Sequence, residues 1–230
     1  MRRLLIAIIA LAIAFPCYGQ GFTYFKKKAA AGGGGPTTYA NDTFTGTNGT
    51  LLSAHTSDSG HTWTKSGGGS NIDIQTNEIR AAAGNQFGMY YISATSTSAD
   101  YSVQATIREP GGYGNISPGI AGRISTSATT GYYVAWGQTY GRWDLFSVTD
   151  EYTIATLGNW AVSSGNSGDP NTAPVVVKLE MIGSAIKVYF DGTQRISVTN
   201  TAWTAAGRAG VGIYYSDNTG RIDGWSAINP

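Results

Sequence analysis

The residues of this chain best suited to chemistry are dispersed along it. Glu78, Glu109, Glu151 and Glu180 stand far apart, and none has a carboxylate two residues away, the spacing that would place a pair on one face of a strand. Asp150 and Glu151 are adjacent, so on a strand they would point to opposite faces; they read as a turn. Glycoside hydrolysis usually takes two carboxylates facing one bond, and no single segment supplies them, although separate strands could still bring two together. His55 and His61 flank Asp58 in the run HTSDSGH. Two imidazoles and a carboxylate suit Zn²⁺ or Cu²⁺, but the spacing fits neither a helix face nor a familiar metal signature, so surface-loop histidines are the simpler reading. Serines abound without a G-x-S-x-G elbow. The single cysteine, Cys17, precedes the body of the chain, which therefore has no disulfide, thiolate metal site or cysteine nucleophile.

Aromatic residues are the more suggestive group. Tyr113, Tyr132, Tyr133, Trp136, Tyr140, Trp143 and Trp160 fall in the middle of the chain, with Arg123, Gln138, Arg142 and Asp144 among them. Sugar rings offer C–H faces to aromatic planes, and their hydroxyls need amide or charged partners. Arg123, Tyr132, Trp136, Tyr140 and Trp143 are accordingly the candidate ligand-binding residues. In a hairpin over 131–148, Trp136 and Trp143 would approach each other across the strands. The competing reading is structural, because large aromatics dominate β cores; Trp63 and Trp225 are read that way.

Strands must position these side chains. The chain has 32 glycines, 14 tyrosines and six tryptophans but only 13% charged residues, a mixture of strand formers and turn formers that makes poor helices. A hydrophobic fraction of 41% supports a large core. From Thr38 onward ten basic residues face 14 acidic ones, a net charge of −4. That lacks the basic footprint of nucleic-acid binding. Period-two alternation recurs. Ile72 and Ile74 share a face. Tyr101, Val103, Ala105 and Ile107 alternate inward. Tyr132, Val134 and Trp136 oppose Tyr133 and Ala135. APVVVKLEMIG and SAIKVYFDG form a hairpin bent at Gly183-Ser184, and Asp191-Gly192 turns the chain into TQRISVT. About twelve or more short strands result, which two stacked sheets bury well; a closed barrel fits the same pattern.

Ahead of them, residues 1–19 have a charged start, an apolar run from Leu4 to Phe15 and a small-residue exit, the layout of a secretory signal cut after Gly19. An uncleaved anchor or a lipidated Cys17 are the alternatives, and either would make this segment the sole membrane contact. Residues 20–40, with Lys26 to Lys28 and Gly32 to Gly35, read as a flexible linker. The sandwich is expected over 41–230, in a secreted, periplasmic or cell-surface protein.

The order of segments resembles the concanavalin A-like lectin/glucanase superfamily, in particular its laminin G-like and bacterial secreted or phage-associated members. The residues that carry the likeness are D42-T-F, G49-T-L-L, H61-T-W, S102-V-Q-A-T-I, G119-I-A-G-R-I, G131-Y-Y-V-A-W, V175-V-V-K-L-E-M-I-G-S-A-I-K-V-Y-F-D-G and G207-R-A-G-V-G-I-Y-Y. The resemblance implies an all-β, two-sheet antiparallel jelly-roll sandwich. It leaves function open, since fold does not dictate it. The laminarinase-like enzymes of the superfamily carry E-x-D-x-x-E on one strand, a run this chain does not have. The expectation is therefore a non-catalytic carbohydrate-binding or adhesion module whose partner is a glycan or another extracellular surface. A hydrolase with carboxylates from separate strands and a structural, virion- or prophage-associated sandwich are the alternatives. No cofactor is expected. Members often bind Ca²⁺, for which Asp42, Asp217 and Asp223 are candidates; a turn-forming role is the simpler one.

Overall fold

The computed structural model describes residues 35–83, 87–110, 119–150, 153–213 and 219–230. The expected signal and most of the linker, along with Tyr113, Glu151 and Asp217, lie outside them. The described residues form fifteen strands in two antiparallel sheets, with two 3₁₀ turns at Leu52–Ala54 and Gln138–Tyr140.

One sheet has eight strands. Its path runs β13 (Thr193–Thr199), β12 (Ala185–Phe190), β11 (Val175–Ile182), β6 (Tyr101–Arg108), β15 (Arg221–Asn229), β4 (Glu78–Ala83) and β3 (Asn71–Gln75), while β1 (Thr37–Asp42) also pairs with β15. The other sheet runs β10 (Ile154–Ala161), β9 (Arg142–Val148), β8 (Gly131–Gly137), β7 (Gly119–Ile124), β14 (Arg208–Ile213), β5 (Gly88–Ile92) and β2 (Trp63–Ser66). Two open sheets, rather than a closed barrel, are the outcome. The first strand begins at Thr37, four residues before the expected boundary. Only Ala40 and Asp42 of this strand are buried, and backbone pairing of Thr37 with Asn229 holds its start. A strand fixed by its ladder shows no side-chain alternation, so Thr37 and Thr38 read as spacer.

The alternation read from sequence is the alternation that packs. Ile72, Ile74, Val103, Ala105, Ile107, Val177 and Leu179 of one sheet meet Tyr132, Val134, Trp136, Trp143 and Leu145 of the other in the main core. Tyr133 and Ala135 point the other way and pack with Phe87, Met89, Ala121 and Phe146 in a second cluster. The seven-stranded sheet is therefore apolar on both faces over its middle strands. Asp191 and Gly192 both have positive φ, 48° and 79°, which is the two-residue turn expected there. Thr76 and Asn77 do the same between β3 and β4 at 53° and 61°, an unusual role for a β-branched residue.

Candidate ligand-binding cleft

At one end of the seven-stranded sheet a cleft of about 570 Å³ opens between three segments. The end of β7 supplies Arg123 and Ile124. The β7–β8 connection supplies Ser125, Thr126 and Thr130, and the connection from β13 to β14 supplies Ala202 to Gly207. Arg208 and Thr95 complete the wall. The volume lies within the roughly 300–1,000 Å³ usual for small-molecule sites.

Buried polar contacts fix each wall. The Ser66 hydroxyl donates to the carbonyls of Ser125 (3.2 Å) and Ala128 (2.9 Å), and the Thr129 hydroxyl donates to the Ser66 carbonyl at 2.8 Å. Arg123 ties the other side. Its Nε donates to Ala99 O at 3.2 Å, and its Nη1 to Gly183 O and Trp203 O at 2.7 and 2.8 Å. Nη2 lies 3.5 Å from Asp100 Oδ1, which also accepts from Gly183 N at 2.8 Å. The Arg123 backbone sits at φ 51°, a left-handed conformation that needs such over-determination to persist. Gly207 passes so close that a Cβ there would lie 2.4 Å from the Arg123 carbonyl carbon. Tyr132 Oη donates to Asn200 Oδ1 at 2.9 Å and accepts from Trp203 N at 3.3 Å, fastening the loop that carries Trp203.

The chemistry of the cleft is hydroxyl-rich and cationic. Five Thr and Ser residues line it beside two arginines and the half-buried Trp203, with no Asp or Glu. Burial raises the Tyr132 phenol, while hydrogen bonding from Trp203 and the nearby Arg123 charge pull it partly back; it stays a neutral hydroxyl at neutral pH.

Of the five candidate residues, the structure brings two to this cleft. Arg123 is a wall residue whose guanidinium is consumed internally, and Tyr132 lies beneath the Trp203 loop with 0% exposure. Both act by positioning rather than by touching a ligand. Trp136 and Trp143 do approach across β8 and β9, with ring centroids 5.5 Å apart, but inside the main core at 2% and 0% exposure. Trp143 Nε1 donates to Gly168 O at 2.7 Å, and its ring packs on Phe190 at 4.9 Å. Their strand positions share the inward parity of Val134 and Leu145, so the surface-platform reading is corrected: these indoles face the core. Tyr140 is 63% exposed, with the Arg142 guanidinium 4.8 Å from its ring centroid, but it sits at the opposite end of β8 from the cleft. Sequence reasoning missed Trp203, Arg208 and the threonine-rich loop. The available signal was a tryptophan in a stretch without strand alternation, T201-A-W-T-A-A-G.

The other candidate sets are used structurally. Asp42 accepts from Trp63 Nε1 (2.7 Å) and Phe44 N (2.8 Å) and pairs with His55 Nε2 (3.0 Å). His55 is thus a near-buried partner of an internal carboxylate, not a surface-loop residue. Asp58 accepts from Thr43 N and Oγ1. Asp223 accepts from Gly224 N. Among the described residues no group of three His, Cys, Asp or Glu is placed to hold a metal ion.

No protein-family model and no curated protein sequence matches the chain. Solved structures do. A carbohydrate-binding module, CBM66, from Bacillus subtilis superposes with a TM-score of 0.58 at 15% identity, covering 73% of this chain and 95% of its own. The endo-β-1,3-glucanase from Pyrococcus furiosus gives 0.55 at 12% identity over 84% and 94%. The Bacillus licheniformis β-glucanase gives 0.52 at 13% identity over 86% and 100%. At these identities the likeness is one of fold.

Proposed function

For a chain whose fold is that of the concanavalin A-like sandwich, we propose the role of a secreted, non-catalytic carbohydrate-binding module that takes its glycan in the cleft between Arg123, Trp203 and Arg208. The observation that carries this reading is the cleft itself: a recess lined by hydroxyls, an indole and the Arg208 guanidinium, on a fold shared with a carbohydrate-binding module. Saccharide hydroxyls both donate and accept, which a wall of threonines and serines matches group for group.

The glucanase likeness makes hydrolysis the rival. Across all strands of the seven-stranded sheet the single carboxylate is Asp144. It is 2% exposed and engaged by Arg142 Nε at 3.0 Å. Two carboxylates facing one bond are therefore not built into these strands, which favours binding over cleavage. The test is retention of the purified chain on immobilised polysaccharides and a glycan array, with reducing-end release followed in the same wells. Binding to a subset without release is expected. Release of new reducing ends would make it an enzyme, and retention by no saccharide would end the glycan reading. Export and the cut after Gly19 are checked by N-terminal sequencing of the extracellular product, which should begin at Gln20.

A further inference from the structure

The arginines of the cleft are not equivalent. Arg123 has no exposed side-chain surface, and its charge faces Asp100. Arg208 is differently held. Its Nη1 donates to Ser93 O at 2.8 Å, to Ala94 O at 3.0 Å and to the Thr95 hydroxyl. These contacts pin one corner of the guanidinium. The remaining edge, Nε and Nη2, meets no acceptor among the described residues, and no described carboxylate lies within ion-pair distance. The same protein shows what that edge does when a carboxylate is present: Arg108 gives Nε and Nη2 to the two oxygens of Glu78, side-on. Such a planar fork matches a carboxylate in both spacing and charge.

We propose that the cleft selects an acidic saccharide, a uronic acid whose carboxylate docks side-on against Nε and Nη2 of Arg208. The inference rests on the glycan reading above and narrows it. Three properties of the recess favour this ligand. Its wall carries no Asp or Glu to repel an anion. The Arg208 head is already immobilised by three acceptors, so little side-chain entropy remains to be lost on binding. Thr126, Thr130 and Thr204 line the same recess and supply hydroxyls for those of a sugar ring. From Thr38 onward the net charge is −4, which makes the unpaired fork a local feature rather than part of a basic surface.

The experiment pairs each of several uronate oligosaccharides (galacturonate, glucuronate, mannuronate and guluronate) with its carboxyl-reduced neutral counterpart and a sulfated derivative of that counterpart. Each is titrated calorimetrically into the purified chain. The expected result is at least one pair in which the uronate binds about tenfold tighter or more, as charge-assisted hydrogen bonds support. That preference should shrink as ionic strength rises from about 0.01 to 0.15 M. Arg208→Lys keeps the charge but not the fork, and should bring the ratio of uronate to neutral affinity below about threefold. The wild-type comparison stands even if that variant is less stable. Neutral and acidic partners bound equally in every pair would overturn the proposal and leave the binding module intact. Sulfated partners preferred over uronates would overturn the carboxylate assignment. Binding of no saccharide at all would remove both readings.

Discussion

Replacing Arg123 by Met removes a guanidinium whose hydrogen bonds are all spent inside the protein. Methionine keeps an unbranched, extended side chain and donates nothing. It inherits the same left-handed backbone, so the strain at φ 51° cancels from the comparison. Three main-chain carbonyls, Ala99, Gly183 and Trp203, lose their donor. A hydrogen bond from a charged donor contributes roughly 1.5–3 kcal/mol net. Gly183 is exposed and Ala99 and Trp203 are half-buried, so water can reach these carbonyls and a total of about 2–4 kcal/mol follows. The Asp100 pair adds little, because its carboxylate is 38% exposed at 3.5 Å and such pairs contribute about 0–1 kcal/mol. Against a total stability of about 5–15 kcal/mol this is a large share. Urea denaturation should show an unchanged slope near 2 kcal/mol/M and a midpoint lowered by about 1 M or more. Amide exchange should accelerate in Ala202 to Gly207, the loop that Arg123 holds, even where the strands stay protected. A midpoint shift under about 0.5 M with unchanged loop exchange would show that Arg123 is not the tie described.

Trp143→Ala should lower stability by roughly 3–5 kcal/mol through the cavity and the loss of the Gly168 bond, while a saccharide bound at folded concentrations keeps its affinity; calorimetry on the folded fraction separates the two effects. Gly168→Ala should destabilise by more than about 1 kcal/mol, since φ is 89° and its Cβ would lie 2.3 Å from the Trp160 ring; a changed tryptophan emission and a lower melting temperature report it. Asp144→Asn probes pH. Burial raises the Asp144 carboxyl above its ordinary value, with Arg142 pulling it partly back. The native state then holds that proton more tightly than the unfolded chain, so this contribution to stability falls as pH rises from about 4 through the raised folded value. The wild type minus Asn difference in urea midpoint should decline as pH rises above about 4, and a constant difference would refute the assignment. Asp169 should show the opposite sign. Burial raises it, but bonds from Gly165 N, Asn171 N and Nδ2, and Thr172 Oγ1 outweigh that and leave it lowered. Its contribution is present above the ordinary carboxylate range and lost on acidification, and Asp169→Asn should abolish that loss.

The sandwich was legible because period-two burial is written directly in the residues. Tyr101, Val103, Ala105 and Ile107 alternate in sequence and are 1%, 0%, 1% and 0% exposed. The hairpin at Asp191-Gly192 was legible for a related reason, since those two residue types accept positive φ. Where a strand is held by its ladder, as at Thr37, or a turn by Thr76 at φ 53°, composition carries no mark and the boundary or turn is missed. The role of Asp42 was hidden likewise. Nothing local announces that a carboxylate near the first strand will bracket Trp63 and His55, which are brought to it by other elements.

The candidate site failed to follow from aromatic clustering for a reason that generalises within this fold. Five of the six tryptophans, 63, 136, 143, 160 and 225, lie on strands. In a two-sheet sandwich strand parity assigns such a side chain to a face, and here both faces of the middle strands of the seven-stranded sheet are packed. Trp136 and Trp143 are held there by their neighbours and closed to a ligand. Trp203 is the exception, in a loop where parity makes no assignment, and it is the tryptophan that lines the cleft. Sequence singled out Arg123 as a charged partner for saccharide hydroxyls among the aromatics, yet its guanidinium is spent on organising the wall. Arg208 opens a strand, where one corner can be anchored by main chain while the other edge stays free. Residues at strand ends and in the loops after them, rather than aromatics within strands, are therefore where ligand contacts of such a sandwich should be sought.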